Sequence, residues 1–213
     1  MSRPVLYEYW RSSASYRVRI ALNLKNVDYE SRPVNLLTGE QNGDEYRSLN
    51  PQGFVPMLEI DGHRLTQSLA IINYLDIRYP VQPLIPASAA ERAQVVAFAM
   101  IIACDIHPLN NLRVLKYLKN ELGQSQEAVS AWYRHWISER FPALESMAAP
   151  AAGKFLFGDA PTAAEVLLVP QLYNARRYDV PLDSYPTLLR AEENANQLEA
   201  FAAAHPDRQQ VPS

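Results

Sequence analysis

The segment from Val5 to Asn35 follows a strand–helix–strand order that only a few folds accommodate. Val5–Tyr9 is a short β-type run, Ser15–Lys25 repeats apolar side chains at helical spacing, and Tyr29–Asn35 returns to a strand pattern. A connection this short between two strands of one sheet is almost always right-handed, and it makes the strands parallel. The segment therefore predicts a β–α–β unit.

A β-hairpin and another helix follow this unit. Asp61–Gly62 separates the apolar runs Pro56–Ile60 and His63–Thr66, and Asp-Gly between two such runs is the strongest short hairpin signal. A short helix is predicted to end near Leu49, and a longer one covers about Ser68–Tyr79. The resulting order, βαβ and then ββα, is that of the thioredoxin fold.

The second part of the chain has no strand pattern. Prolines at positions 80, 83 and 86 indicate a stiff linker. Beyond it the sequence predicts four helices, at about 88–118, 124–147, 162–178 and 186–203. We therefore expect an α/β plus all-α protein, with a thioredoxin-like domain over residues 1–82 and a helical bundle over residues 88–213.

Composition and charge exclude several classes of function. The net charge of −3 argues against a nucleic-acid partner, which usually requires a basic surplus. No apolar run reaches the roughly 18 residues that span a bilayer, so we expect neither export nor a membrane anchor. The single cysteine, Cys104, excludes an intrachain disulfide, and the four scattered histidines lack the spacing of metal ligands. These features predict a cytoplasmic protein without a metal.

The corner between the first strand and the first helix contains no sulfur. A redox-active thioredoxin carries Cys-x-x-Cys here, whereas Arg11–Arg17 reads RSSASYR, which excludes disulfide exchange by this chain. A helix N-terminus with hydroxyl and backbone N–H donors is left, and such a place stabilises an anion. A thiol that takes part in the chemistry must therefore arrive with a cofactor, which points to glutathione.

The sequence resembles the zeta class of glutathione transferases, which includes maleylacetoacetate isomerase and maleylpyruvate isomerase. The resemblance covers almost the whole chain and rests on the segments Trp10–Ser13, Arg17–Leu22, Leu49–Gln52, Val55–Pro56, Gln67–Ile72, Asp105–Arg113 and Leu168–Gln171. It implies a homodimer with glutathione as cofactor. The implied reaction is cis–trans isomerisation of a maleyl keto acid by reversible addition of the glutathione thiolate to the double bond.

The resemblance also implies which residues bind glutathione. Ser12, or Ser13 beside it, would donate a hydrogen bond to the sulfur. A cis peptide at Val55–Pro56 would pair with the cysteinyl backbone, and Gln67–Ser68 would hold the γ-glutamyl carboxylate. Gln41 falls where the family binds the glycyl end. From the residues alone, Ser12, Ser13 and Ser68 would more simply be helix caps.

Arginines are the predicted ligands of the substrate, because a guanidinium binds a carboxylate through two parallel hydrogen bonds. Arg11 and Arg177 match family positions for substrate carboxylates. Arg176 and Arg177, near the C-terminal end of a predicted helix, could instead only complement its dipole. His107, Asn111 and Arg113 match positions that line the site in the family, although a single histidine on a helix is more often structural. The spacing of Cys104, His107 and Asn111 places them on one stripe of a long helix, where Cys104 is expected to be a small buried residue.

Two other functions remain open from the sequence. A general glutathione transferase, acting on small electrophiles or α-haloacids, would share the Ser12 corner without requiring Arg11 and Arg177 together. A noncatalytic glutathione-binding protein would retain only the cofactor site. The family cysteine is replaced by Ala14 in this chain, and we expect isomerisation to survive because the attacking sulfur belongs to glutathione.

Overall fold

The computed structural model describes residues 3–211, which form two compact units. The first contains the chain up to Leu84 together with the residues from Asn196 onward, and the second is Ile85–Ala195. The predicted boundaries, 1–82 and 88–213, differ from this division at the C-terminal end. The reason is local, since the side chains of Arg19 and Asn23 donate hydrogen bonds of 2.9 and 3.0 Å to backbone carbonyls at positions 204 and 200.

A four-stranded mixed sheet forms the centre of the first unit. Its strands are β1 (Val5–Glu8), β2 (Glu30–Pro33), β3 (Met57–Ile60) and β4 (His63–Thr66), in the spatial order β2-β1-β3-β4. Strand β1 is parallel to β2 and antiparallel to β3, and β3 and β4 form the antiparallel hairpin. The predicted parallel pair, the hairpin and the thioredoxin-like fold class are thus confirmed.

Within residues 3–211, the α-helices of the first unit are α1 (Ser13–Leu24), α2 (Asp44–Leu49), α3 (Ser68–Arg78) and α9 (Glu199–Ala204). Helix α1 buries the predicted apolar face, with Val18, Ala21 and Leu22 all fully inaccessible. It also buries two arginines, Arg17 and Arg19. The helix is therefore enclosed on nearly all sides, and its charged side chains need partners inside the unit.

The buried Arg19 side chain is bound by an acid and by backbone carbonyls. Its guanidinium forms a buried ion pair with Glu8 and also donates to the Trp10 carbonyl at 3.0 Å. Ser31 donates to the second Glu8 oxygen at 2.8 Å. Because a buried charge is tolerated only when it is paired and hydrogen-bonded, this cluster fixes β1, β2 and α1 to one another beside the corner that follows β1.

The second unit is built from helices α4 (Ala89–Met100), α5 (Leu112–Asn120), α6 (Gln126–Ala148), α7 (Ala163–Arg177) and α8 (Pro186–Asn196). The prediction of one helix over 88–118 is wrong. A π-helical turn, Ile101–Ile106, follows α4, and Pro108 lies in the loop before α5. The helix predicted over 186–203 is also divided, into α8 and α9.

The broken helix removes the predicted stripe of Cys104, His107 and Asn111. Cys104 lies in the π-helical turn and is exposed, which contradicts the expectation of a buried residue. His107 caps the C-terminal end of that turn, and Asn111 is the N-cap of α5. A period of 3.6 residues does not hold across a π turn, so the sequence spacing does not translate into one face.

Helix α7 lies in the core of its unit and continues through Pro170. Thr162 and Glu165 form a capping box at its start. The Glu165 carboxylate accepts hydrogen bonds from the Leu156 and Thr162 amides at 2.6 and 2.7 Å. Burial raises the pKa of Glu165, and these backbone donors oppose that rise.

No helix formed by residues 3–211 combines the length and the apolar character that crossing a bilayer requires.

Candidate active site

Ser12 is the N-cap of α1, and its hydroxyl can also donate a hydrogen bond to a ligand. Its Oγ accepts a hydrogen bond from the Ser15 amide at 3.2 Å, and its own amide donates to the Tyr9 carbonyl at 2.9 Å. A hydroxyl accepts through its lone pairs and donates through its proton. The cap therefore leaves the Ser12 proton available, and capping and thiolate stabilisation are compatible. Ser13 is the first residue of α1 and is buried.

Arg11 lies in the same corner, on the residue before Ser12. Its guanidinium carbon is 5.1 Å from the centre of the Trp10 ring, a cation–π distance. Both side chains are only partly buried. A guanidinium beside an aromatic ring keeps its N–H donors for other partners, and its planar fork suits a carboxylate.

The Val55–Pro56 peptide is cis, as the family resemblance implies. The segment before it is fixed through the Phe54 carbonyl, which accepts from the Tyr46 hydroxyl at 2.6 Å and from Asn50 Nδ2 at 2.8 Å. Strand β3 begins at Met57, so the Val55 backbone lies just outside its ladder. Because β3 lies between β1 and β4, Val55 precedes an inner strand of the sheet, and its backbone N–H and C=O are candidates to pair with an extended peptide.

Helix α3 begins with Ser68, and the residue before it has an uncommon conformation. Gln67 has φ +67°, in the left-handed half of backbone space that residues with a side chain seldom adopt. Its Nε2 donates to Gln52 Oε1 at 3.2 Å, and the side chain does not cap the helix. The first amides of α3 are therefore not satisfied by an N-cap side chain, an arrangement that suits an anionic ligand.

Gln41 lies in a 3₁₀ turn, Glu40–Asn42, close to the loop that contains Gly53. A Cβ on Gly53 would come within 3.0 Å of the Gln41 carbonyl, and Gly53 has φ +65°. Both observations show why glycine is needed at that position. The close approach places Gln41 beside the loop that leads to the cis peptide.

Arg177 is the last residue of α7, and its side chain is held by three neighbours. Its guanidinium carbon is 5.9 Å from the Tyr173 ring centre and 5.7 Å from that of Tyr178. One terminal nitrogen donates to Asn174 Oδ1 at 3.3 Å. The residue is nevertheless exposed, so its other N–H groups can reach a ligand. The Tyr178 ring is itself stacked on Tyr133, with centroids 3.6 Å apart and an interplanar angle of 6°.

The adjacent Arg176 has a different environment. Its two terminal nitrogens each lie 2.5 Å from an oxygen of Glu192, a bidentate ion pair between α7 and α8. This pairing raises the pKa of Arg176. Arg176 is therefore bound to Glu192, whereas Arg177 is exposed and remains the predicted substrate ligand of the two.

The loop that contains His107 and Asn111 is fixed by α6. Asn110 donates to the Tyr133 carbonyl at 3.1 Å, and the Trp132 indole donates to the Leu109 carbonyl at 2.9 Å. Asn111 Oδ1 accepts from the Arg113 amide at 3.1 Å, so its side chain serves as a cap. Tyr133 thus contacts both this loop and, through its ring, the aromatic pair that includes Tyr178.

The predicted site residues accordingly fall into three groups. Ser12, Ser13 and Arg11 share the corner after β1, whereas Gln41, Val55, Pro56, Gln67 and Ser68 lie on the loops around β3 and the start of α3. Arg177, His107, Asn111 and Arg113 belong to the second unit. Their roles in binding stay predictions. Sequence reasoning missed the neighbours that position Arg177, although tyrosines at i−4 and i+1 of an arginine at a helix end were a usable signal.

Comparison with known proteins identifies the family. Residues 4–77 match the family "Glutathione S-transferase, N-terminal domain". A protein of Vibrio cholerae described as a probable maleylacetoacetate isomerase is 51% identical over 208 residues, which is 96% of each chain.

Two solved structures agree in fold. A maleylpyruvate isomerase described as a bacterial zeta-class glutathione S-transferase has a TM-score of 0.95 at 44% identity, covering 98% of this chain and 100% of its own. The maleylacetoacetate isomerase of Anaeromyxobacter dehalogenans, solved with glutathione in its active site, has a TM-score of 0.88 at 43% identity over 98% of both chains. The chain belongs to the zeta class of glutathione transferases, the family of the maleylacetoacetate and maleylpyruvate isomerases.

Proposed function

We propose that this protein is a glutathione-dependent cis–trans isomerase of maleylacetoacetate or maleylpyruvate, which it converts to the fumaryl isomer. The observation that carries the proposal is the Ser12 corner. It has no sulfur, and its N-cap hydroxyl retains a proton that can be donated to a thiolate. Such a corner can stabilise a thiolate but cannot provide one.

The donors of the first unit fit the chemistry of glutathione. Ser12 and the start of α1 suit a thiolate, the Val55 backbone suits an extended peptide, and Ser68 with the first amides of α3 suits a carboxylate. Gln41 and Gln67 are further candidate contacts at the same loops. When bound, glutathione supplies the thiolate that adds to the double bond and leaves again once the bond has rotated.

The protein's part is to lower the pKa of this thiol and to orient the acid. A free thiol has a pKa near 8.5, and a hydroxyl donor beside a helix N-terminus favours the ionised form. Arg11 and Arg177 each bind a carboxylate or keto oxygen and stabilise the negative charge that develops there. His107, Asn111 and Arg113 contribute to binding from the loop and first turn of α5.

We further propose that the protein is a cytoplasmic homodimer that acts in the breakdown of aromatic compounds, either of tyrosine through maleylacetoacetate or of gentisate through maleylpyruvate. The family relationship supports these points. One methylene of chain length changes pocket affinity little, so both acids are candidate substrates.

The fate of glutathione tests the reaction class. Incubation with each maleyl acid, followed by proton NMR, is expected to yield the fumaryl isomer with the free glutathione concentration unchanged. Consumption of one glutathione per product molecule, with an adduct in the spectrum, would instead identify a conjugating transferase.

A further inference from the structure

Arg17, like Arg19, is a buried arginine of α1, and it contacts the first residue of α3. Its side chain is almost inaccessible, and one terminal nitrogen donates to Ser68 Oγ at 3.3 Å. Ser68 is the first residue of α3 and is itself 7% exposed. The contact thus joins α1 to the N-terminal end of α3 from inside the unit.

The chemistry of the two groups determines the direction of the Ser68 proton. A guanidinium can only donate hydrogen bonds, so Ser68 Oγ must be the acceptor towards Arg17. The hydroxyl proton is then directed away from Arg17 and can be donated to another acceptor. The positive charge of Arg17 also lies close to the N-terminal end of α3, which carries the partial positive charge of the helix dipole.

We propose that Arg17 is a positioning residue for the γ-glutamyl carboxylate of glutathione. It fixes the Ser68 hydroxyl as a donor and adds a buried positive charge to the end of α3. This inference rests on the proposed function, which assigns that carboxylate to Gln67–Ser68. Arg17 itself does not touch the ligand.

Arg19, two residues further along α1, offers a matched control. It is equally buried on the same helix, and its guanidinium binds Glu8 and the carbonyls of Trp10 and Ala204. Substituting Arg19 disturbs the same helix without changing the environment of Ser68. A general loss of stability is therefore separable from a specific loss at the carboxylate site.

The test compares two ligands by calorimetry. One is glutathione, and the other is 4-aminobutyryl-Cys-Gly, which lacks the α-carboxylate of the γ-glutamyl residue. Arg17→Met is expected to weaken glutathione binding about tenfold or more, because a charge-supported hydrogen bond is lost, and to leave the analogue within about twofold. In a Ser68→Ala background the effect of Arg17→Met should shrink markedly.

Arg17→Lys keeps the positive charge and replaces Arg17→Met in the test if that variant does not fold. We expect it to weaken glutathione binding less than Arg17→Met does, and to leave binding of the analogue unchanged. Arg19→Lys should change both affinities equally or not at all. Equal weakening of the two ligands by Arg17→Lys, or no weakening by either Arg17 variant, would overturn the inference. The measurement records binding and not turnover. If the parent chain is an active isomerase and the Arg17 variants bind glutathione as tightly as it does, the inference about Arg17 fails and the proposed function stands. A parent chain that does not bind glutathione refutes the proposed function.

Discussion

Arg176 donates both terminal nitrogens of its guanidinium to the Glu192 carboxylate, at 2.5 Å to each oxygen. Glu192 is nearly inaccessible, whereas half of the Arg176 side chain is exposed. The next residue, Arg177, is held by two tyrosine rings and an asparagine instead of an acid. Two adjacent arginines at one helix end thus have different environments: Arg176 joins α7 to α8, and Arg177 contacts side chains of its own helix end.

Substitution of these two arginines should separate activity from stability. Arg177→Gln is expected to lower kcat/KM for a maleyl acid about 10- to 100-fold with an unchanged Tm, because it removes charge-assisted hydrogen bonds to the substrate. Arg176→Gln is expected to destabilise the fold by about 1–3 kcal/mol, because it leaves the Glu192 carboxylate buried without its cation. Steady-state kinetics and urea unfolding of both variants provide the measurement. The assignment is reversed if Arg176→Gln shows the larger kinetic loss.

Ser12→Ala should shift the pH profile of the reaction. Without the hydroxyl donor the pKa of bound glutathione should rise toward that of a free thiol, near 8.5, so activity at neutral pH falls and recovers as the pH is raised. The absorbance of the thiolate, titrated in the glutathione complex, measures this pKa directly.

Ser125 provides the matched control for Ser12. It caps α6 by accepting from the amide three residues on, Ala128, at 3.1 Å, just as Ser12 accepts from Ser15. Ser125→Ala should lower the free energy of unfolding by about 1 kcal/mol, the same loss that removal of the helix cap causes in Ser12→Ala. It should not change the pKa of the thiol of bound glutathione. Equal pH profiles for the parent chain and Ser12→Ala would exclude Ser12 as the thiolate donor.

The Glu8–Arg19 ion pair should be essential for the first unit. Glu8→Gln leaves the buried Arg19 guanidinium without a counter-charge, and the expected loss is about 3–5 kcal/mol in the free energy of unfolding. The exposed pair Arg32–Glu30 is the comparison, and Glu30→Gln should cost at most about 1 kcal/mol. Chemical denaturation followed by circular dichroism checks both values, and a near-neutral Glu8→Gln variant would contradict this role of the pair.

Ala14→Cys restores the family cysteine at the corner after β1. Turnover of the variant should lie within a few-fold of the parent, because the thiol that adds to the substrate comes from glutathione. A glutathione-dependent assay of both proteins side by side is the measurement. An inactive parent together with an active Ala14→Cys variant would show that the chain's own sulfur is required.

Most of the first unit could be predicted from the sequence because its signals are local. The Asp61–Gly62 turn specifies the hairpin, and the apolar face of α1 lies where the pattern indicates. The interrupted helix after Met100 could not be predicted in the same way. A π turn keeps the helical composition and differs only in its hydrogen-bond partners, and the break at Pro108 follows it directly.

The candidate site residues were predicted because they match motif positions of the family, and the sequence contained no information on their geometry. The side chains that surround them depend on long-range contacts. The Arg17–Ser68 hydrogen bond joins positions 51 residues apart, and the Tyr133–Tyr178 stack joins α6 to the end of α7. No periodicity or motif in the sequence encodes such pairs, so the residues that position the site emerged only from the fold.

Isomerase activity is tested most directly by the ultraviolet absorbance of maleylpyruvate and of maleylacetoacetate, each incubated with the purified protein in the presence and absence of glutathione. We expect rapid conversion of at least one acid to its fumaryl isomer, strictly dependent on glutathione. Conversion of neither acid by a protein that still binds glutathione would contradict this expectation, and would leave Arg11 and Arg177 without an acidic substrate.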